Sequence, residues 1–259
     1  AAAAGRVTDK TKAIIPVHLF GQAADMDGVQ RLAKEHDLAV LEDAAQSMNA
    51  YYDGRHGGTM GNVGAFSAHP LKNFNAAGDA GFLITDDDRV ADKVRLYRNH
   101  GLLDRDHVEI WGVNDRLQPI QAIVGSRVLD TIEDLVQARI RNARLLDEGL
   151  KGLECYVRPP SRPSGNREVY QLYLATATQR NELVNFLVPR GVEAKVHYPI
   201  PIHLQNAARD LGYQRGDFPE CERQADEIIT LPAHQYINVE QIAFMVSAIS
   251  EFYGLHSPS

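Results

Sequence analysis

Lys72, Asp43, Gln46 and Ser67 are spaced so that an amine, a carboxylate, an amide and a hydroxyl could meet on one rim of a sheet. Asp43 follows an apolar stretch, residues 38–41, that reads as a buried strand. Ser67 closes a second strand-like stretch at 63–67, and Lys72 comes five residues after it. In open α/β sheets, ligands bind beyond the carboxyl ends of the strands. There an amine can form a Schiff base with an aldehyde, and a carboxylate can keep a ring nitrogen protonated. A hydroxyl can hold a phosphate, and an amide can meet a ring hydroxyl. Together these are the requirements of pyridoxal 5'-phosphate (PLP), whose protonated ring acts as an electron sink.

The elements that must position these groups follow from hydrophobic periodicity. Residues 13–17 are apolar and β-branched at the centre, as in a buried parallel strand. Residues 27–36 carry a helical period through Val29, Leu32 and Ala33, ahead of the strand at 38–41. Strand, helix, strand at this spacing is a βαβ unit. Residues 81–85 read as a further strand. A helix is expected over 86–98, led by Asp86, Asp87 and Asp88, whose charge suits a positive helix N-terminus better than a metal. Residues 117–150 are helical, with an interruption expected near Pro119. A loop over 159–165, a strand over 170–175, a helix over 180–190 stopped by Gly191, and a strand over 192–196 make a small α/β domain. The expected division is a partial PLP-binding large domain over 1–135, then a connecting helix and a small C-terminal domain over 136–259.

Composition removes several function classes. The 259 residues carry a formal net charge of −7 with acids and bases mixed, and without a basic stripe nucleic acid is a poor partner. No apolar run approaches the ~20 residues a membrane helix needs. Cys155 and Cys221 form no metal-ligand pattern, no metal is expected, and a reducing, cytoplasmic setting fits. No glycine-rich dinucleotide fingerprint follows a strand, which sets aside a nicotinamide dehydrogenase. His18, His69, His197 and Tyr198 are candidates for substrate contact, although lone histidines more often serve packing or hydrogen bonding.

Five stretches in order resemble the DegT/DnrJ/StrS family of PLP-dependent sugar aminotransferases. They are Pro16-Val17-His18-Leu19-Phe20-Gly21; Glu42-Asp43-Ala44-Ala45-Gln46; Phe66-Ser67-Ala68-His69-Pro70-Leu71-Lys72-Asn73 with Gly78-Asp79-Ala80-Gly81; Gly112-Val113-Asn114-Asp115-Arg116 with Ile120-Gln121-Ala122; and His197-Tyr198-Pro199-Ile200-Pro201-Ile202-His203 with Gly212-Tyr213 and Gly216-Asp217-Phe218-Pro219. The resemblance implies an α/β protein of the aspartate-aminotransferase type (fold type I). Its large-domain sheet would be mostly parallel and lack its N-terminal part, and a small α/β C-terminal domain would follow. Lys72 is similar to the lysine that carries the cofactor, Asp43 to the partner of the pyridine nitrogen, Gln46 to the partner of the ring hydroxyl, and Ser67 to a phosphate ligand. Asn114 resembles a residue that reaches into the neighbouring subunit's site, which implies a homodimer with shared active sites.

The implied substrates are a keto-sugar, nucleotide-linked, and glutamate or glutamine as amino donor. A cyclic ketone such as a keto-inositol, or a keto-octulosonate, stays open. A dehydrating branch of the family has histidine in place of the lysine, and Lys72 argues against that branch. Ser47-Met48-Asn49 and Leu231-Pro232-Ala233-His234-Gln235-Tyr236 depart from the family pattern and bear on the substrate subclass. The opening alanines read as the tail of a helix cut midway, whereas complete members start well upstream. That upstream segment supplies the first strand, a helix N-terminus for the phosphate and a ring that stacks on the cofactor. The expectation is therefore a chain that holds PLP weakly by itself. The rival reading is a catalytically inactive fragment acting only in oligomerisation or binding.

Overall fold

The computed structural model describes residues 2–255; Ala1, the first of the opening alanines, and residues 256–259 lie outside them. The chain divides into two compact units, Ala1–Val136 with Pro163–Gln171, and Gln137–Arg162 with Leu172–Ser259. The sequence assigned all of 136–259 to the second domain; residues 163–171 instead return to the first. Backbone pairing holds them there. Arg167 and Tyr51 exchange N–H···O bonds of 2.8 and 3.1 Å, and Val169 N–H donates to Gly21 O at 3.0 Å.

In the first unit, β1 (Ala13–Ile14), β2 (Ala39–Asp43), β5 (Val63–Ser67) and β6 (Gly81–Ile84) form one sheet in the order β1-β2-β5-β6. The first three are parallel, and β6 runs antiparallel to β5. The strand expected over 13–17 pairs regularly only to Ile14. Pro16 has no N–H to give a ladder, and Val17 rejoins through a single parallel bridge to Asp43. Between β1 and β2, helix α1 (Met26–Glu35) starts at Asp25, whose carboxylate accepts from Gly28 N–H at 3.0 Å. Its Met26 and Ala33 pack with Val40 of β2.

A hairpin that the periodicity did not announce follows, β3 (Tyr51–Tyr52) against β4 (Arg55–His56). Its two turn residues, Asp53 and Gly54, both take positive φ (46° and 75°), as the tight turns that join two twisted strands require. On β5 and β6, Phe66 stacks on Phe82 at 4.9 Å, and Phe74 meets Phe82 edge-on.

The helix expected over 86–98 is α2 (Asp88–Tyr97), and Asp87 caps it by accepting from Arg89 N–H. The Arg89 side chain, then its N–H, pull Asp87 down to about 2. Two corrections concern residues 117–150. Pro119 begins a helix, α3 (Pro119–Leu129), where a missing N–H costs nothing. The interruption falls instead at residues 130–131, before α4 (Ile132–Gly149). Near the start of α4, Glu133 accepts from Asn49 Nδ2 at 2.8 Å and from Arg167 Nη2 at 2.7 Å, which fastens the returning segment to the first unit.

The second unit is an antiparallel sheet of β7 (Val157–Arg158), β8 (Tyr173–Ala177) and β9 (Ile228–Leu231), in that order. Helices α5 (Arg180–Leu187), α6 (Pro219–Glu227) and α7 (Val239–Phe252) belong to it. Leu146, Leu150, Leu183, Leu187, Ile229 and Ile249 are fully buried here. The strand expected over 170–175 begins only at Tyr173, because Tyr170 holds a positive φ of 47°. The strand expected over 192–196 does not form. Val192 N–H closes on Leu187 O and Ala194 N–H on Val192 O, so only Lys195 bridges to β9, through Thr230. The Leu231–Tyr236 departure is a turn pinned by Asn142 of α4, whose Nδ2 donates to His234 O at 2.8 Å.

Candidate active site

The alternation of β2 buries Val40 and Glu42 and leaves Asp43 half-buried. A buried carboxylate is costly unless its lone pairs are matched, and Glu42 is fully matched. It accepts from Gly58 N–H at 2.7 Å, Met60 N–H at 2.6 Å and Gly61 N–H at 2.5 Å. His18 Nε2 donates to it at 2.8 Å. Ala24 N–H donates to His18 Nδ1 at 3.1 Å, which assigns the ring hydrogen to Nε2. Burial pushes Glu42 up, but His18 and the three backbone donors outweigh it and hold the group below its ordinary 4.5. The cradle depends on glycine: a Cβ on Gly64 would meet Gly58 O at 1.9 Å.

This arrangement corrects the expectation for His18. Its ring is fully buried and both nitrogens are engaged, so it serves Glu42 and the Ala24 turn and leaves no polar edge for a substrate.

One residue on, Asp43 is held at the C-terminal end of β2 by its backbone. Its N–H donates to Pro16 O at 2.9 Å, and His18 N–H donates to its O at 3.0 Å. Oδ1 accepts from Ala45 N–H at 3.0 Å. Gln46 Oε1 accepts from Phe20 N–H at 2.6 Å, which turns its amide nitrogen into the end left to donate. Ser67 is the last residue of β5; its Oγ accepts from His69 N–H at 3.2 Å, so its own proton is available to an acceptor. Lys72 lies in the loop that follows, with its N–H on His69 O at 2.9 Å. Burial lowers the Lys72 amine below its ordinary 10.5, while the negative charge of Asp43 pulls the other way.

The remaining candidates are distributed as follows. His69 is half-buried; its Nδ1 accepts from Leu71 N–H at 3.1 Å, and its Nε2 lies 3.6 Å from Asp79. Asn114 is exposed, with Oδ1 accepting from Arg116 Nε at 3.0 Å and its backbone bridged to Asn99. His197 and Tyr198 belong to the second unit. His197 Nδ1 is 2.8 Å from Thr230 Oγ1, and burial, with Lys195 nearby, holds it below its ordinary 6.5. Tyr198 is exposed and meets the His197 ring edge-on. No cluster of three or more His, Cys, Asp or Glu side chains suited to a metal occurs among the described residues.

The first unit thus offers an amine of lowered basicity, a carboxylate whose charge reaches it, a hydroxyl proton and an amide donor. That set fits PLP. The chain matches the DegT/DnrJ/EryC1/StrS aminotransferase family over residues 1–250. It is 40% identical over 251 residues to the pleiotropic regulatory protein of Geobacillus stearothermophilus, covering 95% of this chain and 67% of that one. It is 34% identical over 246 residues to the dTDP-3-amino-3,4,6-trideoxy-alpha-D-glucose transaminase of Streptomyces venezuelae, covering 95% and 65%.

The chain belongs to the DegT/DnrJ/EryC1/StrS aminotransferase family. It spans about two thirds of the length of the curated relatives it matches. The crystal structure of S. venezuelae DesV in complex with a ketimine intermediate superimposes with a TM-score of 0.93 at 33% identity, over 96% of this chain and 67% of that one. The cofactor of DegT/DnrJ/EryC1/StrS aminotransferases is PLP, and their fold, α/β with a mostly parallel sheet, is the one described above.

Within this family member, sequence reasoning passed over Glu42 and Gln171. Glu42 had a signal: a carboxylate two residues from Val40 in a buried strand must find donors, and glycines cluster downstream at 57, 58, 61 and 64. Removing its charge with Glu42→Gln should cost about 1–3 kcal/mol for each buried backbone N–H left facing the amide NH2. A chemical-denaturation midpoint within error of wild type would contradict this. The sign in acid follows from the depressed pKa: the contribution is complete above 4.5, the unfolded value, and is lost as pH falls through the lower folded value. Glu42→Gln should therefore flatten the acid limb of the stability curve.

Proposed function

We propose that this chain supplies the cofactor site of an aminotransferase that moves an amino group from glutamate or glutamine to a nucleotide-linked keto-sugar. The observation that carries the reading is the Lys72 amine, lowered by burial and coupled to the Asp43 carboxylate, beyond the C-terminal ends of neighbouring parallel strands β2 and β5. When bound, PLP supplies an aldehyde carbon and an electron-withdrawing pyridinium ring. Lys72 would hold the group at that carbon through Nζ. The same amine would hold and move the proton at the substrate carbon as general base. Asp43 would keep the ring nitrogen protonated, Gln46 Nε2 would donate to the ring oxygen, and the Ser67 hydroxyl would donate to the phosphate. The substrate class follows the printed activity of the S. venezuelae relative, a transaminase of a dTDP-linked sugar.

The same reading includes a homodimer with a shared site. Asn114 is exposed, and Trp111 (93% exposed), Ile120 and Ile123 leave apolar surface of the kind that marks an association face. Cys155 and Cys221 are both free thiols, in keeping with a reducing, cytoplasmic setting, and no helix among the described residues is long and apolar enough to cross a membrane.

Borohydride reduction in the presence of PLP, followed by peptide mapping, should put the pyridoxyl mass on Lys72; label on another lysine would remove the assignment. Asp43→Asn should keep the cofactor but turn over at least about tenfold more slowly, the worth of one charged hydrogen bond. Near-normal turnover would sink that role. Mixing Lys72→Ala with Asn114→Ala under demonstrated subunit exchange should recover part of the activity, since some heterodimers regain one intact site. No recovery would mean that Asn114 acts within its own subunit.

A further inference from the structure

We infer that Gln171 is a positioning residue for Lys72, holding the two peptide groups on either side of it. This rests on the reading of Lys72 as the cofactor lysine. Gln171 Nε2 donates to Leu71 O at 2.7 Å, the carbonyl of the peptide bond entering Lys72. Its Oε1 accepts from Asn73 N–H at 3.0 Å, the amide of the peptide bond leaving it. A single primary amide thus reads both neighbours of the lysine, as an adjacent strand would. The grip is returned: Asn73 Nδ2 donates to Val169 O at 3.0 Å. Both Gln171 and Asn73 are buried, so the two bonds that Asn73 makes are sheltered from competing water.

Two further bonds hold the lysine backbone. Lys72 N–H closes on His69 O, and Leu71 N–H on His69 Nδ1. His69, a candidate for substrate contact in the sequence, acts here on the loop that carries the lysine. Gln171 is itself fixed. Val169 N–H donates to Gly21 O, and a Cβ on Gly21 would come within 2.9 Å of the Gln171 backbone nitrogen. Gly21 follows Phe20, whose N–H orients Gln46. Residues 169–171 therefore tie the Gln46 turn and the Lys72 loop to one another. A lysine stem has several rotatable bonds and loses rotamer entropy when it is aimed. Fixing its root removes the backbone's share of that uncertainty, which is the part that a reaction at Nζ would otherwise have to supply.

The test uses Gln171→Met, which keeps the bulk and removes both bonds, and Gln171→Glu, which keeps the acceptor for Asn73 and sets an oxygen against the Leu71 carbonyl. Two readouts are taken on the protein: hydrogen exchange of individual amides, and the rate at which PLP plus borohydride labels Lys72. In Gln171→Met, Asn73 should exchange about tenfold faster and Lys72 should be labelled about tenfold more slowly, as expected for loss of a buried hydrogen bond. The amides of Ala68 and Ala76, which bond to Ala80 O and Ala68 O, should keep their protection and so report an intact fold. Gln171→Glu should retain Asn73 protection and still label slowly, a split that lost packing would not produce. If Gln171→Met also loses protection at Ala68 and Ala76, Gln171→Glu alone decides. Wild-type labelling rates in a folded variant overturn the inference. Absence of label on Lys72 in wild-type protein overturns the cofactor reading instead, while Asn73 exchange still reports whether Gln171 holds the loop.

Discussion

The first unit is organised around a buried anion. Glu42 sits inside β2 with no access to water, and its charge is tolerated because three backbone N–H groups of the 58–61 turn and the His18 ring converge on it. Each partner is thereby fixed by the others. The turn cannot shift without stranding a buried charge, and the His18 ring cannot rotate without giving up Ala24 N–H. The carboxylate touches none of the groups assigned to the cofactor, yet Asp43 is its neighbour in sequence and shares its strand. The strength of the Glu42 cluster is what gives Asp43 a fixed origin.

From that origin the site is hung on short pieces of backbone. Pro16 O and His18 N–H grip Asp43 from the β1 side, so the residues after the first strand act as a bracket even where no regular strand continues. Phe20 N–H sets the orientation of Gln46. Ser67 is the last paired residue of β5, opposite Gly81 of the antiparallel β6, and the lysine loop leaves from there. Side chains with little freedom of their own, Asp, Ser and a bonded Gln, are held by strand ends, while the one long flexible side chain is held at its root. The charge balance follows the same economy. Burial makes the lysine easier to deprotonate, and Asp43 opposes that shift without pairing directly with the amine.

Much of this was legible in the sequence because it lay in local pattern. The β2 and β5 strands, α1 and α2 are encoded within short windows by apolar period and capping residues. The boundaries that moved were moved by chemistry that a period does not carry. Pro16 ended β1 early for want of an N–H, Pro119 opened α3 where an interruption had been expected, and Tyr170 delayed β8 by taking a left-handed backbone. The β3–β4 hairpin had a signal in Asp53-Gly54, but strands of two residues give no period to detect. His18 stood as a candidate for substrate contact because its partner, Glu42, lies 24 residues away and no local pattern joins the two. Gln171 was out of reach altogether, since nothing near it in the sequence refers to Lys72; the relation exists only after residues about a hundred apart have met.

That distance bears on the order in which the protein can acquire its structure. The bonds from Gln171 to Asn73 and Leu71 span 98 and 100 residues, and between them the chain passes through α2, α3, all of α4 and β7. On a ribosome that emits the chain from the N-terminus, β1 to β6 emerge long before the segment that closes over the lysine loop. Contacts of such separation form late and slow a fold relative to local ones. The nascent first unit therefore waits with its lysine loop unfastened until residue 171 has left the exit tunnel.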